Sequence, residues 1–361
     1  MRKYSFFGGL VLFMMMAGCA KDDVVSETTD GLDATVRNKA HKTPADDFSG
    51  PLFDLSTAPN GDILIADASQ GIINIYGELL ASLPAVTSVD AVGQGLMWAT
   101  TGAVNDATTN EGQGLYRITK NKAEMLVNLF EFEEENNPDA QAIDSNPFAV
   151  LALNGHEALV VDSGANDLLK IDNHGNVEVV AVFPNEVVST ENVKSLVGCP
   201  ESGAGPCAMG PMIPAQAVPT SVVVGPDGYY YVGELKGFPA PLNESNIWKI
   251  APNAVGAMCG ESADCVKAFD GGFTSIIDMV FDENGILYVA ELDARSWFAV
   301  EVTHNGVGGT IKACDPQTLQ CEVIASGINM LTSITFDKDG NLWATRNALA
   351  PGDAEVVMIS Y

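Results

Sequence analysis

The sequence predicts an all-β protein, a six-bladed β-propeller of four-stranded antiparallel blades whose ring is closed by an N-terminal strand, and three observations predict it. A short unit of β-rich stretch, glycine turn and second apolar stretch recurs six times. Four copies are followed by a further hairpin-like pair of apolar runs, so that one repeat supplies four antiparallel strands. The copies are spaced by about 40 to 55 residues, as blades packed face to face around a channel require.

The composition suits that fold. With 47% hydrophobic residues, 35 Gly, 18 Pro and 18% charged residues in 361, the chain is too apolar and too punctuated to be disordered or a coiled coil. Its 18 Lys and Arg against 47 Asp and Glu give a formal charge of -29, which repels phosphate backbones and anionic lipid and excludes nucleic-acid binding.

Taken in order, residues 1–18 read as a secretory signal: basic Arg2 and Lys3, then an apolar run from Phe6 to Met16 too short to span a bilayer. Met16-Ala17-Gly18-Cys19 resembles a bacterial lipobox, which implies that Cys19 is lipidated and becomes the first mature residue. Ala20-Lys21-Asp22-Asp23 looks like the export tag of surface lipoproteins, and implies an outer-membrane lipoprotein of the cell envelope, on the outer leaflet. Residues 19–47 are polar and aperiodic, a lipidated Cys and flexible tether.

The propeller is expected over 48–361. Its six copies run Leu55 to Asp67, Ser88 to Thr101, Val150 to Asp162, Val222 to Glu234, Met279 to Glu291 and Ile334 to Arg346. The last repeat ends in a third strand at Val356 to Tyr361, so its outer strand is expected from within Leu32 to Leu52. Without Cys19, six cysteines fall into close pairs, Cys199 with Cys207, Cys259 with Cys265 and Cys314 with Cys321; loops this short favour local disulfides in an oxidising compartment.

Several stretches also carry a family resemblance: Asn146 to Val150, Val161 to Leu169, Ala217 to Val222, Gly233 to Leu235 and Gly272 to Asp278. They resemble the ScyD/ScyE family, secreted bacterial propellers related to NHL-type blades and named from a pigment gene cluster. The resemblance covers about Asp144 to Tyr361 and implies a propeller; it implies no catalytic residues.

Counting from the turn position (Gly61, Gly95, His156, Gly228, Gly285, Gly340) gives a register. Seven residues earlier stand Asp54, Ser88, Ala149, Ser221, Asp278 and Ser333; six later stand Asp67, Thr101, Asp162, Glu234, Glu291 and Arg346. Strand one leaves a face and strand two returns to it, so both sets gather at one end of the channel. The long insertions 101–114, 130–145, 184–217 and 236–245 fall at that end too, and the stapled 184–217 segment is the expected lid.

Two chemistries suit these residues. Asp54 and Asp278, with Glu234 and Glu291 behind, could hold a divalent cation, calcium above all, and such a metal could activate water for lactone or ester hydrolysis. Alternatively, acids at strand ends accept backbone N–H groups in their own turns, the reading favoured for Asp67, Asp162, Glu234 and Glu291. The four His residues sit apart in turns or tether. Trp98, Tyr231, Tyr288 and Trp343 share one second-strand position and read as blade core; Trp297, Phe298 and Phe238 read as exposed contacts. The acidic run Phe130 to Glu135 reads as a solvated face, with a calcium patch as the lesser alternative.

The function expected is therefore a lipid-anchored module that binds a small molecule or protein as a monomer. No cofactor is fixed by the sequence. The alternative is a metal-dependent lactonase or esterase-like hydrolase, and an accessory role toward a secreted metabolite follows only from the family's name.

Overall fold

Each repeat folds as the inner hairpin of one blade in the computed structural model, which describes residues 48–93, 95–120, 122–199 and 204–361. Blade 1 comprises Leu52–Thr57, Ile63–Asp67, Gly71–Asn74 and Leu79–Ser82; blade 2 comprises Val86–Gly93, Leu96–Thr101, Gly114–Thr119 and Lys122–Asn128. Blade 3 runs through Pro147–Ala152, Glu157–Asp162, Asp167–Asp172 and Val177–Val182, and blade 4 through Pro219–Val224, Tyr230–Glu234, Ser245–Ile250 and Cys265–Phe273. Blade 5 is Ile276–Phe281, Leu287–Glu291, Gly309–Asp315 and Gln320–Ile328; blade 6 is Ile334–Phe336, Leu342–Arg346 and Glu355–Met358. Within each blade, consecutive strands pair antiparallel, as the repeat predicts; blade 3 departs from four strands, because Ala257–Met258 joins it as a fifth, parallel to Val177–Val182.

The inner hairpins turn where the sequence places glycine. Gly61, Gly228, Gly285 and Gly340 have φ between 78° and 90°, a region that costs a side chain strain and glycine none. Between the hairpins, second-strand aromatics fill the blade interfaces: Trp98, Tyr231, Tyr288 and Trp343 are all buried.

The ring closes by an alternation along the inner strands. Blades 2, 4 and 6 carry Thr87, Thr220 and Thr332 eight residues before the turn; blades 1, 3 and 5 carry Phe53, Phe148 and Ile277 there. Each threonine hydroxyl donates to a carbonyl of the next inner strand: Thr87 to Pro147 O (2.7 Å), Thr220 to Ile276 O (2.8 Å) and Thr332 to Leu52 O (2.7 Å). The apolar members belong to one core cluster, with the rings of Phe53 and Phe148 6.1 Å apart. Inner strands have no strand neighbour on the channel side, and these hydroxyls join their edges without one.

Blade 6 has three strands among the described residues. Phe48 packs with Ala348, Ala354 and Val356 beside it, and Leu52 N–H donates to Ala348 O at 2.9 Å. Residues 48–51 pair with no strand, and Leu52 already begins blade 1. The rest of the expected closing strand, 32–47, lies outside the described residues, as do the signal, Cys19 and the tether. The three local disulfides form as the spacing predicts.

The 184–217 insertion contains the hairpin Glu186–Ser189 with Met212–Ala215 and the helix Glu191–Leu196. That helix buries Val193 in the cluster that holds Phe53, Phe148 and Ile277, and Asn192 Nδ2 donates to Ala240 O (2.6 Å) and Ser296 Oγ (3.0 Å). The insertion thus roofs the blade 4 and 5 side of the channel mouth, where a lid was expected. Trp297 and Phe298, expected as exposed contacts, are buried in the same cluster because the short helix Trp297–Glu301 turns them under this roof. Phe238 is exposed.

Candidate functional site

The residues seven before each turn form a belt inside the channel. Asp54 Oδ2 accepts Ser88 Oγ–H (2.7 Å) and the Val89 N–H of blade 2 (3.0 Å). Ser88 Oγ accepts the Val150 N–H of blade 3 (3.0 Å), Asp278 Oδ2 the Ile334 N–H of blade 6 (2.8 Å), and Ser333 Oγ the Leu55 N–H of blade 1 (2.9 Å). One rule covers all four contacts: a polar side chain on one inner strand receives the channel-facing amide of the next. Ser333 also donates to Asp278 Oδ2 at 2.6 Å and lies 3.2 Å from Asp54 Oδ1, so one hydroxyl joins the two acids. Ser221 Oγ, at the same position in blade 4, is buried with no partner.

Burial raises both acids of the belt. Asp278 is pushed up to about 8 by burial and then by the neighbouring Asp54 charge, while the hydrogen bonds it accepts pull the other way. Asp54 is raised chiefly by burial, and Asp90, one turn of the pleat further along, to about 6 for the same reason. Their oxygens are already used in holding blades together.

Six residues after the turn, the acids latch loops. Asp67 accepts the backbone N–H groups of Ser49 and Ser69, each at 3.0 Å. Asp162 accepts Ser145 Oγ–H and Asn146 N–H, both at 2.6 Å. Glu291 accepts Thr274 N–H (2.6 Å), the Thr310 hydroxyl and Lys312 Nζ (3.0 Å). Glu234 accepts Asn246 N–H (2.9 Å) and Trp248 Nε1–H (3.0 Å) and pairs with Lys236 Nζ at 2.6 Å. Arg346 pairs with Glu355, its Nε 2.6 Å from Oε2. Glu234 and Glu291 therefore stand at blade-loop junctions, apart from the Asp54–Ser333–Asp278 link. Among the described residues, no three His, Cys, Asp or Glu side chains are already gathered as a metal-holding set.

The elaborated face does contain a small hollow at the channel mouth, about 20 Å³ in enclosed volume and open to solvent at its rim. Phe148, Val218, Leu235 and Ile277 form its apolar part, and Asn146, Ser163, Gln216 and Thr220 bring polar atoms. Two acids complete it, Asp144 from the 129–146 connection and Glu301 from the end of the Trp297–Glu301 helix. Glu301 is pushed up to about 8 by burial alone. Among the described residues, no basic side chain lines the pocket.

Behind Asp144 lies a group of acids that includes Asp162 of the register and Glu133 of the acidic run, for which a calcium patch was the lesser expectation; Asp139, Asp144 and Asp167 were not singled out. The helix Leu129–Asn136 buries Leu129 and Phe130, and Glu133, on the same face four residues after Leu129, goes in with them. There it meets Asp139, Asp144, Asp162 and Asp167 within electrostatic reach. Burial first and mutual repulsion second hold Glu133 at about 9 and Asp144 at about 8, and raise Asp167 well above the carboxylate range.

No family model matches the sequence, and no curated protein does. Among solved structures, the chain is similar to a gluconolactonase from Xanthomonas campestris, with 11% identity over 87% of this chain and 88% of that one and a TM-score of 0.52. It is likewise similar to a putative oxidoreductase (glucose dehydrogenase) from Thermus thermophilus, with 15% identity over 86% of this chain and 97% of that one and a TM-score of 0.54. At these identities the likeness is one of fold: the chain is a six-bladed β-propeller, and its three disulfides suit an oxidising, extracytoplasmic compartment.

Proposed function

We propose that this protein is a lipid-anchored binding propeller of the bacterial cell envelope that takes a small ligand in the pocket at its channel mouth. The anchor would be Cys19 in the outer membrane, with the 20–47 tether holding a monomeric propeller away from the bilayer, on the outer leaflet if the acidic tag next to Cys19 is read as an export signal. Kinship with the ScyD/ScyE propellers rests on the stretches between Asp144 and Asp278 that resemble them.

One observation carries the binding reading: the pocket joins an apolar wall to polar groups and to two carboxyl groups with no basic neighbour in its lining, beneath an inserted roof. Such a lining suits a small molecule with an apolar body and a cationic head. A metal-dependent hydrolase would use the channel acids differently. Asp54 and Asp278 would have to release the amides and hydroxyls that join blades 1, 2, 5 and 6 before facing an ion.

The test compares benzylamine with benzyl alcohol by calorimetry on the full-length protein in detergent. The amine is expected to bind and the alcohol to bind at least tenfold more weakly. Because Glu301 must ionise to pair with it, amine affinity is expected to rise about tenfold per pH unit up to about 8 and level off above. In Glu301→Gln that pH dependence should weaken to what Asp144, also held at about 8, contributes. Equal binding of both probes, or of neither, would overturn this reading of the pocket.

A further inference from the structure

We infer that the junction of blades 2 and 3 holds a calcium ion, ligated by Glu133, Asp139, Asp144 and Asp167, with Asp162 behind them. The inference stands on orphaned oxygens of Glu133, Asp144 and Asp167; Asp139, whose oxygens accept N–H groups of Gln141 and Asn166, would exchange those bonds for the ion. Both carboxylate oxygens of Glu133, both of Asp167, Oδ1 of Asp144 and Oδ1 of Asn137 are buried without a hydrogen-bond partner. The three acids are 1%, 0% and 3% exposed, so bulk water does not reach them. Buried polar atoms are otherwise nearly always paired, and six unpaired oxygens between positions 133 and 167 need a common explanation.

Protein cations do not supply it. None of the five acids forms an ion pair among the described residues; the nine that are formed lie elsewhere. Protonation would remove the charge, but each new O–H would have only the other acids' oxygens and Asn137 Oδ1 to donate to. A hard divalent cation answers both needs, since it takes about six to eight oxygens and prefers carboxylates and amide carbonyls. The set favours calcium over magnesium: its donors come from a helix, its C-cap Asn137, a loop and one strand end, an uneven collection that octahedral geometry fits poorly.

As placed, no three of these acids are close enough together to hold an ion. Binding would therefore draw Glu133 and Asp144 toward Asp167 and tighten the 129–146 connection. Asp144 and Asn146 of that connection wall the pocket, so the ion would set the pocket's shape. This site lies apart from the Asp54–Asp278 link and does not depend on what the pocket takes.

The experiment strips the full-length protein with chelator and adds calcium in 0.15 M salt with excess magnesium, reading bound metal by equilibrium dialysis and stability by thermal melting. One equivalent of calcium is expected, with Tm raised by about 5 °C or more at saturation. The double variant Glu133→Gln, Asp167→Asn should lose that equivalent and the calcium-dependent rise, yet melt above the wild type without calcium because two buried, unpaired acids are gone. Should that variant fail to fold, Asp139→Asn alone is expected to weaken calcium binding at least tenfold. An Asp278→Asn control should bind as the wild type does. Absence of a stoichiometric ion, or an ion retained by the 133/167 variant or lost from the Asp278 variant, would overturn the assignment.

Discussion

Replacing Lys236 with Met should cost about 3–5 kcal/mol, the expected result of leaving a buried acid without its cation. Lys236 is fully buried, with Nζ 2.6 Å from the equally buried Glu234 and 2.7 Å from Glu186 of the insertion. Burial raises the Glu234 carboxyl even with Lys236 beside it, so the pair is held together at a desolvation cost rather than offered cheaply. Met fills the volume of the Lys stem and removes the charge, which isolates the electrostatic part. Glu186 keeps Lys267 at 2.7 Å and the Asn246 amide at 2.6 Å, so the loss falls mainly on Glu234. Urea midpoints measure the effect, and hydrogen exchange at Glu186–Ser189 and Met212–Ala215 locates it. Adding Glu234→Gln to Lys236→Met should recover part of the loss, since the charge is gone and the amide oxygen still accepts from Asn246, while its N–H₂ faces the Trp248 donor. A single variant as stable as the wild type would mean that the cluster is neutral in the folded state.

How much of this was legible beforehand differs by element, for physical reasons. The inner hairpins were legible because a turn with φ near 80° selects glycine, while flanking strands must be apolar on both faces to pack between blades. Their periodicity gave the register, and the register gave the channel belt. The disulfides were legible because loops of eight residues or fewer leave little choice of partner. The pocket acids were not, since Asp144 and Glu301 come from connections that share no repeat. Glu133 left a trace that the surrounding charge concealed. It stands at the apolar position of Leu129–Asn136, yet Glu131, Glu134 and Glu135 around it make the run read as solvated. Trp297 and Phe298 were misread because the roof that buries them is built by residues about a hundred positions earlier. The role of Lys236 rests on the same insertion.

The channel belt leads to the second large effect, a stability that falls as pH rises and a single substitution that prevents it. Asp278 holds its proton to about 8 in the folded protein against an ordinary value of 3.8, because it is buried beside Asp54. A carboxyl raised on folding contributes fully below its unfolded pKa, and the contribution is lost as pH climbs from there through the folded value. For Asp278 that window runs from about 4 to 8, and the curve should flatten above it. Some solvent reaches these half-buried groups, so the full shift overstates the effect; about 2 kcal/mol between pH 5 and pH 9 is expected. Asp278→Asn should match the wild type near pH 5 and exceed it by that amount at pH 9. The amide oxygen can still accept Ile334 N–H and Ser333 Oγ–H, while its N–H₂ can donate toward Asp54. Asp90, held near 6, and the overall charge of -29 also erode stability at high pH, but both are common to the two proteins and cancel in the difference. Urea unfolding at four or five pH values would supply that difference. Parallel curves would mean that Asp278 is ionised in the folded channel, and a counter-ion at the Asp54–Asp278 link would then have to be sought.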